Sequence, residues 1–316
     1  MNAKNIISAI LMVLSFTACS SEIEGIDDNM TNTGANNGET SISVRMMTEG
    51  ISTKADTQSE KLISNYVIAV FEKKSGERVG YASGIADGGF LDTPIVKGIN
   101  TKAGIVKVIV VANVDNVNDF DNLYTYGQFS TKTVGNLTNL TKVGIKDDVT
   151  LSATENKLEV ELKQLTACVN VTLNEPEVTG GNNVTVNFKA YRYTASIAET
   201  SMIVYAPQTV ETKEVLLNEE IETSFSYITY AVASPVLKVY AKLEILVDGV
   251  VTKTIEKEIP VSFKSQDKVH LEALIAGKSY NQQVNTKITI SQNVDVSFKY
   301  EIVSITDNDN QDITYN

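Results

Sequence analysis

The residue with the clearest chemistry is Cys19. It closes the run Phe16-Thr17-Ala18-Cys19, where a thiol directly follows a small residue at the end of an apolar stretch. Lys4 supplies a positive start, and Ile6 to Phe16 is an almost unbroken apolar segment. A secretory signal has this layout. A cysteine at the cleavage point is the mark of a bacterial lipoprotein signal, in which the thiol is acylated and Cys19 becomes the new N-terminus. Acyl chains contribute about 0.8 kcal/mol per buried methylene, so two or three of them hold a protein at a membrane. The apolar run is too short for a transmembrane helix, which needs roughly 17–25 residues. Residues 1–18 are therefore read as a signal peptide.

The remaining reactive side chains are sparse. Cys168 lies in Thr166-Ala167-Cys168-Val169-Asn170, a strand-like context that suits a small buried hydrophobe. With Cys19 acylated, it has no partner for an intrachain disulfide. His270 is the single histidine. Ser-His-Asp chemistry needs such a base beside a nucleophile, and no Gly-x-Ser-x-Gly accompanies it. Zinc sites draw on clustered Cys and His, and only His270 and Cys168 are left to build one. Asp307-Asn308-Asp309-Asn310-Gln311-Asp312 resembles the start of a calcium loop. It lacks the glycine at the sixth position, and Asn316 comes before any twelfth-position Glu, so a solvated tail is the better reading. Asp115, Asp119 and Asp121 read as loop and helix-start carboxylates. Neither a phosphate loop nor a Gly-x-Gly-x-x-Gly is present. No catalytic residue, metal site or cofactor is assigned, and the chain is not expected to be an enzyme. Tyr191 and Tyr193 share a strand face, as residues two apart must. They could form a small sugar-stacking platform, although a core face is the commoner fate, and the chain has no Trp.

Composition narrows the partners. The net charge is −12, and loss of Lys4 with the signal makes the rest one unit more negative. Such a chain is a poor ligand for nucleic acid or anionic lipid heads. A hydrophobic content of 42% can supply a core without disulfides. The length beyond the signal accommodates two domains at roughly 100–200 residues each.

The elements that would position these residues read as β almost throughout. Residues 19–39 are acidic and then rich in Asn, Gly and Thr, a flexible leader unable to bury a core. Ile42, Val44 and Met46 alternate with Ser41, Ser43 and Arg45, giving a first strand with one buried face. A polar stretch from Thr48 to Lys61 follows. Tyr66 to Phe71 is nearly continuous apolar, and Lys73-Lys74-Ser75-Gly76-Glu77 is a turn. Ile105 to Val114 is the longest β-branched run and predicts a central strand buried on both faces. Asn118 to Phe129 is the best helix candidate. Leu158, Val160 and Leu162 alternate, and the pattern restarts at Leu165. Val169 to Leu173, Val184 to Phe188 and Phe225 to Val232 read as strands. Asp248-Gly249 between two apolar runs is the strongest short hairpin signal. Val284 to Ile290 alternates, as do Val294, Val296, Phe298, Tyr300 and Ile302. Many short strands separated by turns argue an all-β protein of two β-sandwich modules, 40–164 and 165–305, followed by a polar tail, 306–316.

Several local stretches carry a family resemblance. Thr40-Ser41-Ile42-Ser43-Val44, Ser52-Thr53-Lys54-Ala55, Lys107 to Asn113, Leu162 to Val169 and Gly277-Lys278-Ser279-Tyr280 are similar to segments of the FimA-type major fimbrial subunit (fimbrillin) family of Bacteroidales. Lys54 stands where Arg is commoner, and Gln164 replaces a basic residue. The resemblance implies two transthyretin-like β-sandwich modules and export as a lipoprotein on Cys19. It implies proteolytic processing between Lys54 and Ala55, which removes the lipid together with the first strand (Ile42, Val44, Met46). It further implies polymerisation by addition of a C-terminal donor strand, for which Val294, Val296, Phe298, Tyr300 and Ile302 are the first candidates and Val284 to Ile290 the second. The implied partners are other copies of the chain, minor tip and anchor subunits, a processing protease and, before cleavage, the outer membrane. The implied destination is an extracellular fimbrium that supports adhesion. The alternative is a surface-exposed glycan-binding lipoprotein that keeps its anchor.

Overall fold

Apolar side chains recurring every second residue commit this chain to strands, because successive side chains on a strand point to opposite faces. The computed structural model describes residues 38–48, 62–91, 94–180, 183–218, 222–264, 269–290 and 296–306. The structure is all-β, as the alternation predicts. The first group of strands is β1 (Glu39–Thr48), β2 (Asn65–Glu72), β3 (Arg78–Ile85), β4 (Ile95–Lys102), β5 (Gly104–Ala112), β6 (Thr133–Val134), β7 (Lys142–Leu151) and β8 (Asn156–Gln164). Seven of them form one sheet in the order β3-β2-β5-β7-β8-β1-β4.

That sheet folds over on itself. Ile42, Val44 and Met46 of β1 share a core with Ile68 and Val70 of β2, Val106, Val108 and Val110 of β5, and Val160 and Leu162 of β8. The turn in the sheet lies at β8. Its last two residues pair with β7 at Val143↔Lys163 and Lys142↔Gln164, whereas Asn156 to Leu162 pair in parallel with β1. Gly144 sits at this corner, where a Cβ would come within 2.4 Å of the Glu161 carbonyl oxygen and 2.5 Å of Val160 Cγ1. β5 is central, hydrogen-bonded to β2 and β7. Its Val106, Val108, Val110 and Ala112 enter the core just described, while Ile109 and Val111 enter a second one. The expectation of a strand buried on both faces is met from Val108 onward; Ile105 is 54% exposed.

The helix expected over 118–129 is reduced to a 3-10 turn, Val117–Phe120, and the short helix α1 (Tyr126–Ser130). Thr125 caps α1 in a capping box with Gln128, which starts a helix at Tyr126 and leaves the Asn-rich stretch before it outside. Phe129 then packs between Phe120 and Phe71 in the second core, with its ring centroid 5.3 Å from that of Phe120 and 5.5 Å from that of Phe71. This core also takes in Leu165, Ala198, Ile203, Tyr230 and Val232 from further along the chain.

The remaining strands are β9 (Thr166–Leu173), β10 (Glu177–Thr179), β11 (Val184–Ser196), β12 (Ser201–Met202), β13 (Thr212–Leu216), β14 (Ser224–Tyr230), β15 (Val232–Ala233), β16 (Leu237–Val247), β17 (Val250–Val261), β18 (Ala273–Leu274), β19 (Ser279–Ile290) and β20 (Val296–Thr306). Two sheets face each other here. One runs β10-β19-β9-β14 with β20 also on β19, and the other runs β13-β11-β16-β17. Both contribute to one core, including Val169, Phe225, Val284 and Ile288 from the first and Phe188, Val239, Leu243 and Ile259 from the second. The β16–β17 hairpin turns at Asp248 and Gly249 with φ of 50° and 80°, the positive pair that a type I′ turn requires.

Candidate functional site

β1 is the strand around which a function can be built. It lies inside the sheet, antiparallel to β4 and parallel to β8. Its inward side chains are fully enclosed: Ile42 and Val44 are 0% exposed and Met46 is 1%. Each such burial contributes roughly 1.5–3 kcal/mol, an upper bound because unfolded chains are already partly collapsed. The outward side adds polar anchors. Ser43 is only 2% exposed. Its hydroxyl donates to Glu155 Oε1 at 2.9 Å and accepts from the Gly98 N–H at 3.4 Å. The notch exists because β4 bulges: Ile42 pairs with Ile99 but Val44 pairs with Val96, and Gly98 has the positive φ of 67° that such a bulge favours. Asn156 donates its side-chain amide to the Ser41 carbonyl at 3.2 Å. Arg45 reaches Glu159 on β8 at 3.5 Å. Taking β1 away would leave β4 and β8 with facing unpaired edges and an apolar slot between them, a template for another strand.

The second component is the C-terminal hairpin. β20 pairs antiparallel with β19 over Ile290↔Val296, Ile288↔Phe298, Thr286↔Tyr300 and Val284↔Ile302. Val294 falls outside the described residues. β19 is held on all sides: β9 and β10 pair with it in parallel, and β20 runs along it. Among the described residues β20 is hydrogen-bonded to β19 alone, so it is an edge strand.

The other residues with candidate chemistry do not converge on a site. Cys19, Lys54 and Ala55 lie outside the described residues; Lys54 and Ala55 fall between the end of β1 and the start of β2 in sequence. The tail from Asp307 is likewise outside. Cys168 is a fully buried thiol that donates to Asn170 Oδ1 at 3.5 Å. His270 is exposed and forms an isolated bridge with Lys264. Asp115 accepts from Asn136 and Asn139, Asp119 from Lys132, and Asp121 from the Tyr81 hydroxyl. Among the described residues no three His, Cys, Asp or Glu side chains gather as a metal site would require.

The tyrosine platform does not form. β11 changes register between Ala190 and Arg192, so Tyr191 is the extra residue of a bulge and donates to Glu256 at 3.3 Å. Tyr193 is 4% exposed and stacks on Phe225 with ring centroids 4.4 Å apart. Burial pushes its phenol pKa up to about 12.

Alternation alone missed the outward notch. A Ser between two buried residues reads as exposed, and nothing local marks Ser43, Gly98 and Glu155 as neighbours. Past Val143, β7 leaves β8, and toward β5 Lys107 and Lys73 both meet its Asp147, at 2.9 and 3.4 Å. The Lys107 ammonium holds the Asp147 carboxyl below the usual carboxylate range.

The fold, a sheet that folds over itself followed by a β-sandwich, is shared with solved fimbrial and cell adhesion proteins. Solved structures that share it include a candidate cell adhesion protein from Parabacteroides distasonis, with a TM-score of 0.58 and 16% identity over 84% of this chain and 97% of that one. A fimbrilin (FimA) from Porphyromonas gingivalis superposes with a TM-score of 0.55 and 14% identity, over 84% of this chain and 97% of that one. The tip fimbrial protein Mfa3 from Porphyromonas gingivalis does so with a TM-score of 0.53 and 11% identity, over 84% and 98% of the two chains. No family model and no curated protein matches the chain.

Proposed function

We propose that this chain is a structural subunit of a cell-surface fimbria that supports adhesion. It is exported as a lipoprotein acylated on Cys19 and held at the outer membrane. Cleavage between Lys54 and Ala55 removes the lipid and β1 together, and the subunit becomes part of an extracellular filament. Stretches 40–164 and 165–305 serve as its two modules. The role is structural rather than enzymatic.

The observation that carries this reading is the position of β1. A strand at the N-terminal end of the fold, joined to the rest by a polar stretch that contains Lys54, fills a slot inside the sheet. Its loss empties the places of Ile42, Val44 and Met46 and leaves the facing edges of β4 and β8 unpaired. A strand from a second copy fills that vacancy by β-strand addition. Insertion of the C-terminal end of one copy into the N-terminal slot of the next is head-to-tail, and such a contact propagates into a filament. The fold shared with a fimbrilin and a tip fimbrial protein supports the same reading. The partners are then copies of the chain, minor tip and anchor subunits, and the processing protease.

The test is the N-terminus of the protein recovered from the cell exterior. Mass spectrometry is expected to find it at Ala55 in polymeric material. A mature protein that retains acylated Cys19 and β1 would overturn the proposal and favour a permanently anchored surface lipoprotein.

A further inference from the structure

We infer that the tip of the β16–β17 hairpin of one copy plugs an apolar pocket beside the β8–β9 junction of the next copy, a contact separate from strand insertion. This rests on the filament reading above and gives successive subunits a second surface to share.

The pocket lies where β8 passes into β9. Val143, Ile145, Leu165, Ile203, Val204 and Tyr205 bound an open cavity of about 310 Å³. Val143, Leu165 and Ile203 belong to the second core and are buried. The cover of that core stops there, and Ile145, Val204 and Tyr205 are exposed at 37%, 40% and 39%. Met202 and Ile275, each next in sequence to a lining residue, extend the exposed apolar surface. Exposed apolar surface gathered in one place marks an interaction site. Gln164 also lines the cavity. Its side-chain amide nitrogen is buried and has no partner among the described residues, a cost that an incoming acceptor removes.

The plug is a hairpin tip of unusual composition. Turns and their flanks are ordinarily polar. Here Asp248-Gly249 is closed by two aliphatic pairs, Val247↔Val250 and Leu246↔Val251. Consecutive pairs point to opposite faces of the ribbon, so the tip is apolar on both sides. Val250 is 66% exposed and Val251 48%.

Within one chain the two surfaces are out of reach of each other. β16 starts at Leu237, paired with Ala195, three residues before Ala198, which packs in the second core. From there β16 runs eleven residues, about 35 Å, away to the tip. Plug and pocket therefore meet only between copies. A contact made of two different surfaces does not close at two copies and propagates in one direction. β8 joins it to the slot: one edge of β8 pairs with β1, and its Glu161 and Lys163 line the pocket. Charge agrees as well. Asp248 at the tip and Lys146 at the pocket each lack an ion-pair partner among the described residues, and the Asp248 carboxylate and the turn carbonyls are acceptors of the kind Gln164 lacks.

The full chain with Cys19→Ala, which carries no lipid, isolates this contact from strand insertion, because β1 still fills the slot. Sedimentation velocity is expected to show weak association that grows past the dimer as concentration rises. Val251→Asp and Val204→Asp, both at exposed positions, are each expected to weaken it at least tenfold with the thermal midpoint unchanged. Mixed together they are expected to form dimers and stop, since one intact plug and one intact pocket remain. An unsubstituted chain that stays monomeric or stops at dimers overturns the contact, as does either variant associating at the parent strength or a mixture that fails to dimerise. Filaments at the cell exterior report on the other level. Their absence from cells that make the unsubstituted chain would sink the filament reading, while the association of the uncut chain would stand.

Discussion

At the scale of single residues, the fold depends on positions where space, rather than hydrophobicity, decides. Gly144 is one, because β8 crosses it at the corner of the sheet and a Cβ there meets the Glu161 carbonyl at 2.4 Å. Gly144→Ala is expected to lower stability by about 1–3 kcal/mol, the usual cost of overpacking, as read by urea unfolding; an unchanged midpoint would refute the close approach. Tyr227 is the opposite case. Its hydroxyl is buried and has no hydrogen-bond partner among the described residues, so the chain bears a desolvation cost that a phenyl ring would not. Tyr227→Phe is expected to be neutral or to raise stability by up to about 1 kcal/mol, whereas a loss above that size would reveal a partner for the hydroxyl. The buried phenols also set an alkaline limit. Burial raises the Tyr193 pKa to about 12 and raises Tyr227 as well, while an unfolded tyrosine ionises near pH 10. The folded chain therefore holds protons that the unfolded chain releases. That contribution is intact below about pH 10 and is lost as pH rises toward 12. Unfolding midpoints measured across that window should fall, and Tyr193→Phe should flatten the slope.

At the scale of elements, alternation located most strands and their buried faces. It marked Ile42, Val44 and Met46, the runs of β8, β19 and β20, and the Asp248-Gly249 turn, because each depends on residues within a few positions of one another. Two local readings were shortened or displaced. The helix over 118–129 contracted to two short turns once the Thr125 cap fixed where a helix could start. The bulge at Tyr191 put Tyr193 into the core and Tyr191 outside it. β1 yields the element-level prediction. Ile42→Ala removes a fully enclosed side chain and is expected to cost the uncut chain about 2–5 kcal/mol. In a filament that has lost β1, the same substitution should have no effect on thermal dissociation. Equal destabilisation of both forms would mean that β1 stays in place.

At the scale of the whole molecule, the cores do not part cleanly where the strand pattern restarts. β8 ends at Gln164 and β9 starts at Thr166, yet Leu165, Ile203, Tyr230 and Val232 pack in one cluster with Phe71, Phe120 and Phe129. β6 pairs with β12 across the same divide, and the Tyr230 hydroxyl donates to the Gly135 carbonyl at 2.8 Å. The chain 40–316 is therefore expected to unfold in a single calorimetric transition, and a fragment 40–164 made alone should bind a hydrophobic dye. Two separate transitions, or a fragment with sharp native-like spectra, would show that the halves stand independently. By itself the amino-acid sequence determined that the chain is all-β, which residues face inward along most strands and where one hairpin turns. These follow from periodicity and turn sterics, which act between near neighbours. Only the tertiary structure decided that β1 lies between β4 and β8, that Ser43 fills a notch made by Gly98 and Glu155, and that β19 is locked in while β20 lies at an edge. Glu155 and Glu159 are more than a hundred residues from the β1 side chains they meet. Strand alternation states which face is apolar and carries no label for the strand that will lie alongside.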